Sequence, residues 1–167
     1  MHLVKTHLAI LGALLAGGYA HAHGAHVHGA ATLAVALDGE RLELQLDAPG
    51  DSIVGYERAP RDDAERAALA DARALLAAPA RWIALPADAA CVLQSSSAAF
   101  DLAAGEHAAF DVQAAWRCAA PEALTVLDLT LFAPFPRLQR VTANLVLPDR
   151  QDSVELTPRS TQLRLAP

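Results

Sequence analysis

Apolar and polar residues alternate along several stretches of this chain, and alternation at period two marks a half-buried strand. Leu33, Val35 and Leu37 alternate with Thr32, Ala34 and Ala36, and Leu42, Leu44 and Leu46 alternate with Glu43, Gln45 and Asp47. Residues paired across a ladder share a face, which selects the turn between these two strands. A two-residue loop at Asp38-Gly39 would set Leu37 against Glu40. A four-residue loop from Asp38 to Arg41 pairs Leu37 with Leu42, Val35 with Leu44 and Leu33 with Leu46, and this is the expected register. From Ala109 to Cys118, Phe110, Val112, Ala114, Trp116 and Cys118 share one face, with Asp111, Gln113 and Arg117 on the other. Val141, Ala143, Leu145 and Leu147 repeat the pattern, followed by a turn at Pro148–Gln151, then Val154 and Leu156, and finally Leu163 and Leu165. Leu124 to Leu131 is more continuously apolar and predicts a central strand. Arg81–Leu85 and Cys91–Gln94 read as short strands, and Ser95 to Glu106 as a small-residue loop.

Only one stretch has a clear helical period. Between Asp62 and Ala78, residues Ala68, Leu69, Ala72, Leu75 and Leu76 form an apolar stripe. Asp62 can cap the first turn, Glu65 completes an acidic capping box, and Pro79 follows the end. Ala48-Pro-Gly-Asp51 breaks the preceding strand, Ile53 to Pro60 reads as irregular, and Phe132-Ala-Pro-Phe-Pro136 makes a rigid corner. The pattern predicts one α+β domain, mainly antiparallel β-sheet with one principal helix.

The start of the chain carries a different pattern. His2, Lys5 and His7 precede the short apolar run Leu8–Ala16, and Ala20-His21-Ala22 is a small-residue cleavage signal. The run is too short to span a bilayer, so residues 1–22 read as a secretory signal peptide. The expected mature domain is 23–167, exported and not inserted in the membrane after processing. It loses Lys5 and no acid, which leaves 12 basic and 19 acidic residues and a formal charge of −7. That balance offers no electrostatic footprint for nucleic acid. In an exported chain the two cysteines, Cys91 and Cys118, favour a disulfide, and Cys118 falls on an apolar face. A two-thiolate zinc site is the other reading of that pair.

Four of the seven histidines, His21, His23, His26 and His28, lie within eight residues. Extending the first strand backwards would put His26 and His28 on one face, opposite Leu33. Imidazole is the commonest metal-ligand side chain, so the pair is half of a candidate zinc site. The plain alternative is a solvated terminal segment. Cuprous ion is disfavoured, because the only methionine is Met1 and is lost with the leader. Cleavage after Ala20 would leave a histidine in third place, an arrangement that chelates cupric or nickel ions; cleavage after Ala22, leaving His23 first, abolishes it. No nucleophile elbow, phosphate loop or dinucleotide fingerprint is present, and the carboxylates Asp62 and Asp63 suit a helix start. The chain is not expected to be an enzyme.

Four segments together carry a resemblance: His23-Gly-Ala-His-Val-His-Gly-Ala30, Gly55-Tyr-Glu-Arg-Ala-Pro60, Leu131-Phe-Ala-Pro-Phe-Pro136 and Val154-Glu-Leu-Thr-Pro158. In these the chain resembles the ZrgA-like, zinc-regulated periplasmic proteins over nearly its whole mature length. The resemblance implies a β-rich α+β fold and a periplasmic protein that binds Zn2+ and supports its import across the inner membrane, with a metal importer as partner. It also matches Cys91 and Cys118 to the family cysteines and His107 to a histidine shortly before the second. Two departures stand out. The family's His/Asp-rich insertion between the cysteines is here Ser95–Glu106, without histidine before His107. The family's Gly-Phe-Glu-His-Ala-Pro is here Gly55–Pro60 with Arg58, which cannot bind a metal, so a ligand role there is lost or passes to Glu57. The expected zinc ligands are His26 and His28, with His107 as the third and His23, Glu57 or water as the fourth. The alternative function is an envelope adaptor that uses no metal.

Overall fold

The computed structural model describes residues 27–102 and 107–165. Among the described residues nine strands form two sheets. They are β1 (Ala30–Asp38), β2 (Arg41–Pro49), β3 (Ile83–Ala84), β4 (Cys91–Asp101), β5 (Ala109–Cys118), β6 (Val126–Leu129), β7 (Arg140–Val146), β8 (Gln151–Leu156) and β9 (Gln162–Arg164). The larger sheet has the order β4-β5-β2-β1-β7-β8 and the smaller β3-β6-β9. All pairings are antiparallel except β1 with β7. The described residues also form two α-helices, the single turn α1 (Gly50–Ile53) and the principal helix α2 (Asp63–Leu76). The chain is thus an α+β protein, mainly antiparallel sheet with one main helix.

One face of the larger sheet is apolar. Leu33, Val35, Leu42, Leu46, Phe110, Val112, Val141 and Leu145 are almost wholly buried on it. They join Leu127, Leu129 and Leu163 of the smaller sheet, and Trp82 and Leu138 from the connections, in a single core. The alternation that predicted these strands is the alternation of burial, most regular along β2. The hairpin register is the expected one, with Leu37 opposite Leu42, Val35 opposite Leu44 and Leu33 opposite Leu46. The ladder runs one pair further, Asp38 opposite Arg41, so the turn itself is Gly39-Glu40, with Gly39 at φ 54°. A positive φ costs a side-chain-bearing residue but not glycine.

Cys91 and Cys118 lie opposite one another across β4 and β5 and form a disulfide. That bond ties the first residue of the edge strand to the last residue of an inner one.

Several expectations need correction. First, β4 does not end at Gln94. It continues through the serines to Asp101, with a bulge between Leu93 and Ser95, because its backbone keeps pairing with β5. An edge strand exposed along most of its length has no apolar alternation to reveal it. Second, the segment after β2 is not a simple break: Gly50–Ile53 makes one helical turn. Third, β1 does not extend back to the histidines. Val27 to Ala30 is a turn, closed by the Ala30 N–H donating to the Val27 carbonyl at 3.0 Å, with Gly29 at φ 76°. Leu124–Leu131 contains a shorter strand than its apolar run implied, and that strand is central in the smaller sheet.

Helix α2 starts where its cap is placed. The Asp62 carboxylate accepts the Glu65 N–H at 2.8 Å. Glu65 reaches back one residue further than a capping box requires, accepting the Arg61 N–H at 2.7 Å. Ala72 and Leu76 are its buried residues, and Ser96 of β4 donates to the Ala77 carbonyl just past its end. Among the described residues no helix is long and apolar enough to cross a membrane.

Candidate metal centre

A shallow recess lies where the turn before β1, helix α1, the loop after it and the residues before β5 come together. His28, Asp51, Glu57 and His107 line it, with Gly55, Tyr56 and Arg58. Backbone hydrogen bonds hold these segments in place. The Gly50 N–H donates to the Ala108 carbonyl at 2.8 Å, and the Ala108 N–H donates to the Glu57 carbonyl at 3.0 Å. Asp51, His107 and Glu57 are therefore carried by one continuous set of main-chain contacts. Gly50 permits the close approach: a Cβ there would lie 2.3 Å from the Tyr56 carbonyl oxygen and 2.9 Å from that of Ala108.

The fourth segment is pinned by Ser52, a fully buried polar residue of α1. Its hydroxyl accepts the Gly29 N–H at 3.0 Å and donates to the Ala30 carbonyl at 3.3 Å. The Gly29 carbonyl accepts from the N–H groups of Gln139 and Arg140. His28 is thus fixed at its backbone by α1 on one side and the start of β7 on the other.

Glu57 is the base of the recess. Its side chain is 9% exposed, whereas His28 is 69% and His107 63% exposed. Glu57 Oε2 is 2.6 Å from His107 Nδ1, a hydrogen-bond distance. Glu57 Oε1 is buried and takes part in no hydrogen bond. It faces His28 Nε2 at 3.7 Å, while His28 Nδ1 is 3.9 Å from Asp51 Oδ2. An unsatisfied buried carboxylate oxygen calls for an explanation.

The two distances to Glu57 differ in kind. Two ligands about 2.0 Å from one tetrahedral zinc ion stand roughly 3.3 Å apart. The 3.7 Å gap between His28 Nε2 and Glu57 Oε1 is close to that span and too long for a hydrogen bond. The 2.6 Å contact to His107 is too short for two ligands of one ion. Among the described residues no three histidine, cysteine or acidic side chains meet at a ready-made coordination point. The four groups are gathered, but they are not closed around an ion.

A cation stands beside this acidic base and is held by another acid. The Arg58 guanidinium donates from Nη1 and Nη2 to the two carboxylate oxygens of Glu65, each at 2.7 Å. It also lies over the Tyr56 ring, 4.9 Å from the centroid. These hydrogen bonds, with that from the Arg61 N–H, hold the Glu65 carboxyl down to about 2, so it is ionised throughout the neutral range.

Of the residues singled out from sequence, the structure brings His28, Glu57 and His107 together. His23 and His26 lie outside the described residues, as does any terminal cupric or nickel chelate. His28 sits in a turn and not on the extended strand expected for it. Asp51 was missed. Its sequence context, Pro49-Gly-Asp51, reads as a strand break, and nothing local shows that α1 turns it towards His28. Among the described residues there is no free cysteine, so a two-thiolate zinc site is replaced by the disulfide.

No curated protein matches the chain. Residues 25–165 match the family described as ZrgA family zinc uptake protein. The match covers all four recess residues and both cysteines. On that evidence the chain belongs to the ZrgA family of zinc uptake proteins.

Proposed function

We propose that this chain is a periplasmic zinc-binding protein that captures Zn2+ and hands it to an import system of the inner membrane. Residues 1–22 act as the signal peptide, and the working protein is 23–167. The observation that carries the reading is the buried Glu57 Oε1, which takes part in no hydrogen bond and faces an imidazole nitrogen at near-ligand spacing. Membership of a zinc uptake family supports the choice of metal, and the disulfide suits an oxidising compartment.

In this reading His28 Nε2 and Glu57 Oε1 are direct ligands. The Asp51 carboxylate, 3.9 Å from the other ring nitrogen of His28 and so beyond hydrogen-bond reach, adds negative charge beside the imidazole. His26 and His23 enter from the segment immediately before His28 and complete the shell, with water where needed. His107, expected from sequence as a third ligand, acts through Glu57, whose carboxylate it holds. Histidine and carboxylate oxygen suit zinc. A shallow site with exposed imidazoles suits release as well as capture. The chain is read as a carrier and not an enzyme.

Titration of the chain starting at His23 with zinc, in competition with a chromophoric chelator, tests this. The expected result is saturable binding. A metal-free envelope adaptor would show none at micromolar zinc.

A further inference from the structure

We propose that Glu65 is a positioning residue of the zinc site: by clamping the Arg58 guanidinium it keeps that cation off the Glu57 carboxylate. The inference rests on the zinc reading above and extends it to a residue on α2 that touches no metal.

Arg58 is the covalent neighbour of Glu57, and both line the same recess. Guanidinium is a planar fork that pairs with carboxylates through two parallel hydrogen bonds. Glu57 offers an oxygen that takes part in no hydrogen bond, and Asp51 offers a second carboxylate nearby. A loose Arg58 is therefore a built-in competitor for the groups that would hold zinc. In the structure its fork is occupied by Glu65, both contacts at 2.7 Å, and Nη1 also donates to the Ala59 carbonyl at 3.0 Å. Glu65 is fixed in turn, since its carboxylate accepts the Arg61 N–H and its carbonyl accepts the Tyr56 hydroxyl at 2.8 Å. The Tyr56 ring underlies the guanidinium. The pair is bidentate and part-buried, with side chains 34% and 25% exposed. Its consequence is where the positive charge sits.

The test compares zinc affinity in the unmutated chain, Glu65→Gln, Arg58→Ala and the double variant, with thermal melts alongside. Glutamine can still accept the Arg61 N–H, so the helix start is kept. Glu65→Gln is expected to bind zinc about tenfold more weakly, the scale of one charge-assisted contact transferred to the wrong partner. Arg58→Ala should bind like the unmutated chain, and the double variant should recover its affinity. A purely structural role for Glu65 predicts no recovery. Unchanged affinity in Glu65→Gln, or a double variant as weak as Glu65→Gln, overturns the proposal while leaving the site in place. Absence of saturable zinc binding in the unmutated chain overturns the zinc reading itself, and this inference with it.

Discussion

Replacing Glu57 by glutamine is expected to weaken zinc binding about a hundredfold, the upper end of what loss of a well-supported metal contact costs. Glutamine has nearly the same shape, so the recess keeps its packing. It lacks the charge, and a neutral amide oxygen is not among the donors zinc favours. It also removes the anion that His107 holds at 2.6 Å, so the orientation of the group is lost with its charge. Melting temperature should change little, since one oxygen of the native carboxylate already makes no hydrogen bond. The control is Glu155→Gln, an exposed carboxylate on β8. A Glu57→Gln protein that binds within threefold of the unmutated chain would remove this carboxylate from the site.

Replacing Cys91 and Cys118 together by serine is the change expected to cost most stability, about 3.5 kcal/mol by loop-closure entropy. The sequence separation of the bridge is 27 residues. Its loss frees β4, an edge strand whose side chains are mostly exposed and which has little burial of its own to hold it. Cys118 is fully buried, so serine also places a hydroxyl in apolar surroundings. Denaturant unfolding of the reduced-equivalent double variant gives the number. A loss below about 1 kcal/mol would show that the ladder with β5 holds β4 without covalent help. Zinc affinity under native conditions should survive. The bridge is at the far end of β5 from His107, roughly 30 Å away along a strand rising about 3.3 Å per residue.

Where one face of a strand is buried, sequence alone was enough. The β1–β2 register follows from matching Leu37 to Leu42, and β5 runs from Ala109 to Cys118 as its alternation implied. The helix start was legible from Asp62 and Glu65, whose chemistry is local. Legibility failed where tertiary pairing decides. β4 is a strand because β5 lies beside it, and its serines carry no periodic sign of that. The turn at His28-Gly29 forms because Ser52, 23 residues away, accepts the Gly29 N–H, and no pattern near His28 encodes it.

The site divides in the same way. The histidine cluster and His107 stood out by residue type, and the family resemblance made Glu57 a candidate ligand in place of Arg58. Their relative roles did not, because burial separates Glu57 from the exposed imidazoles beside it, and burial is a property of the assembled fold. Asp51 was invisible because three long-range hydrogen bonds, one between Gly50 and Ala108 and two linking Ser52 to Gly29 and Ala30, bring α1 to the recess. Arg58 shows the reverse. It looked like the loss of a ligand, and its chemistry became interpretable only with Glu65 seen opposite it.

The most direct measurement is diffraction at the zinc absorption edge from crystals of the zinc-loaded chain beginning at His23. The account predicts an anomalous peak within about 2.2 Å of both Glu57 Oε1 and His28 Nε2, the reach of a zinc–ligand bond. A fully occupied zinc ion bound by other side chains, with Glu57 still hydrogen-bonded to His107 and outside the coordination shell, would contradict it.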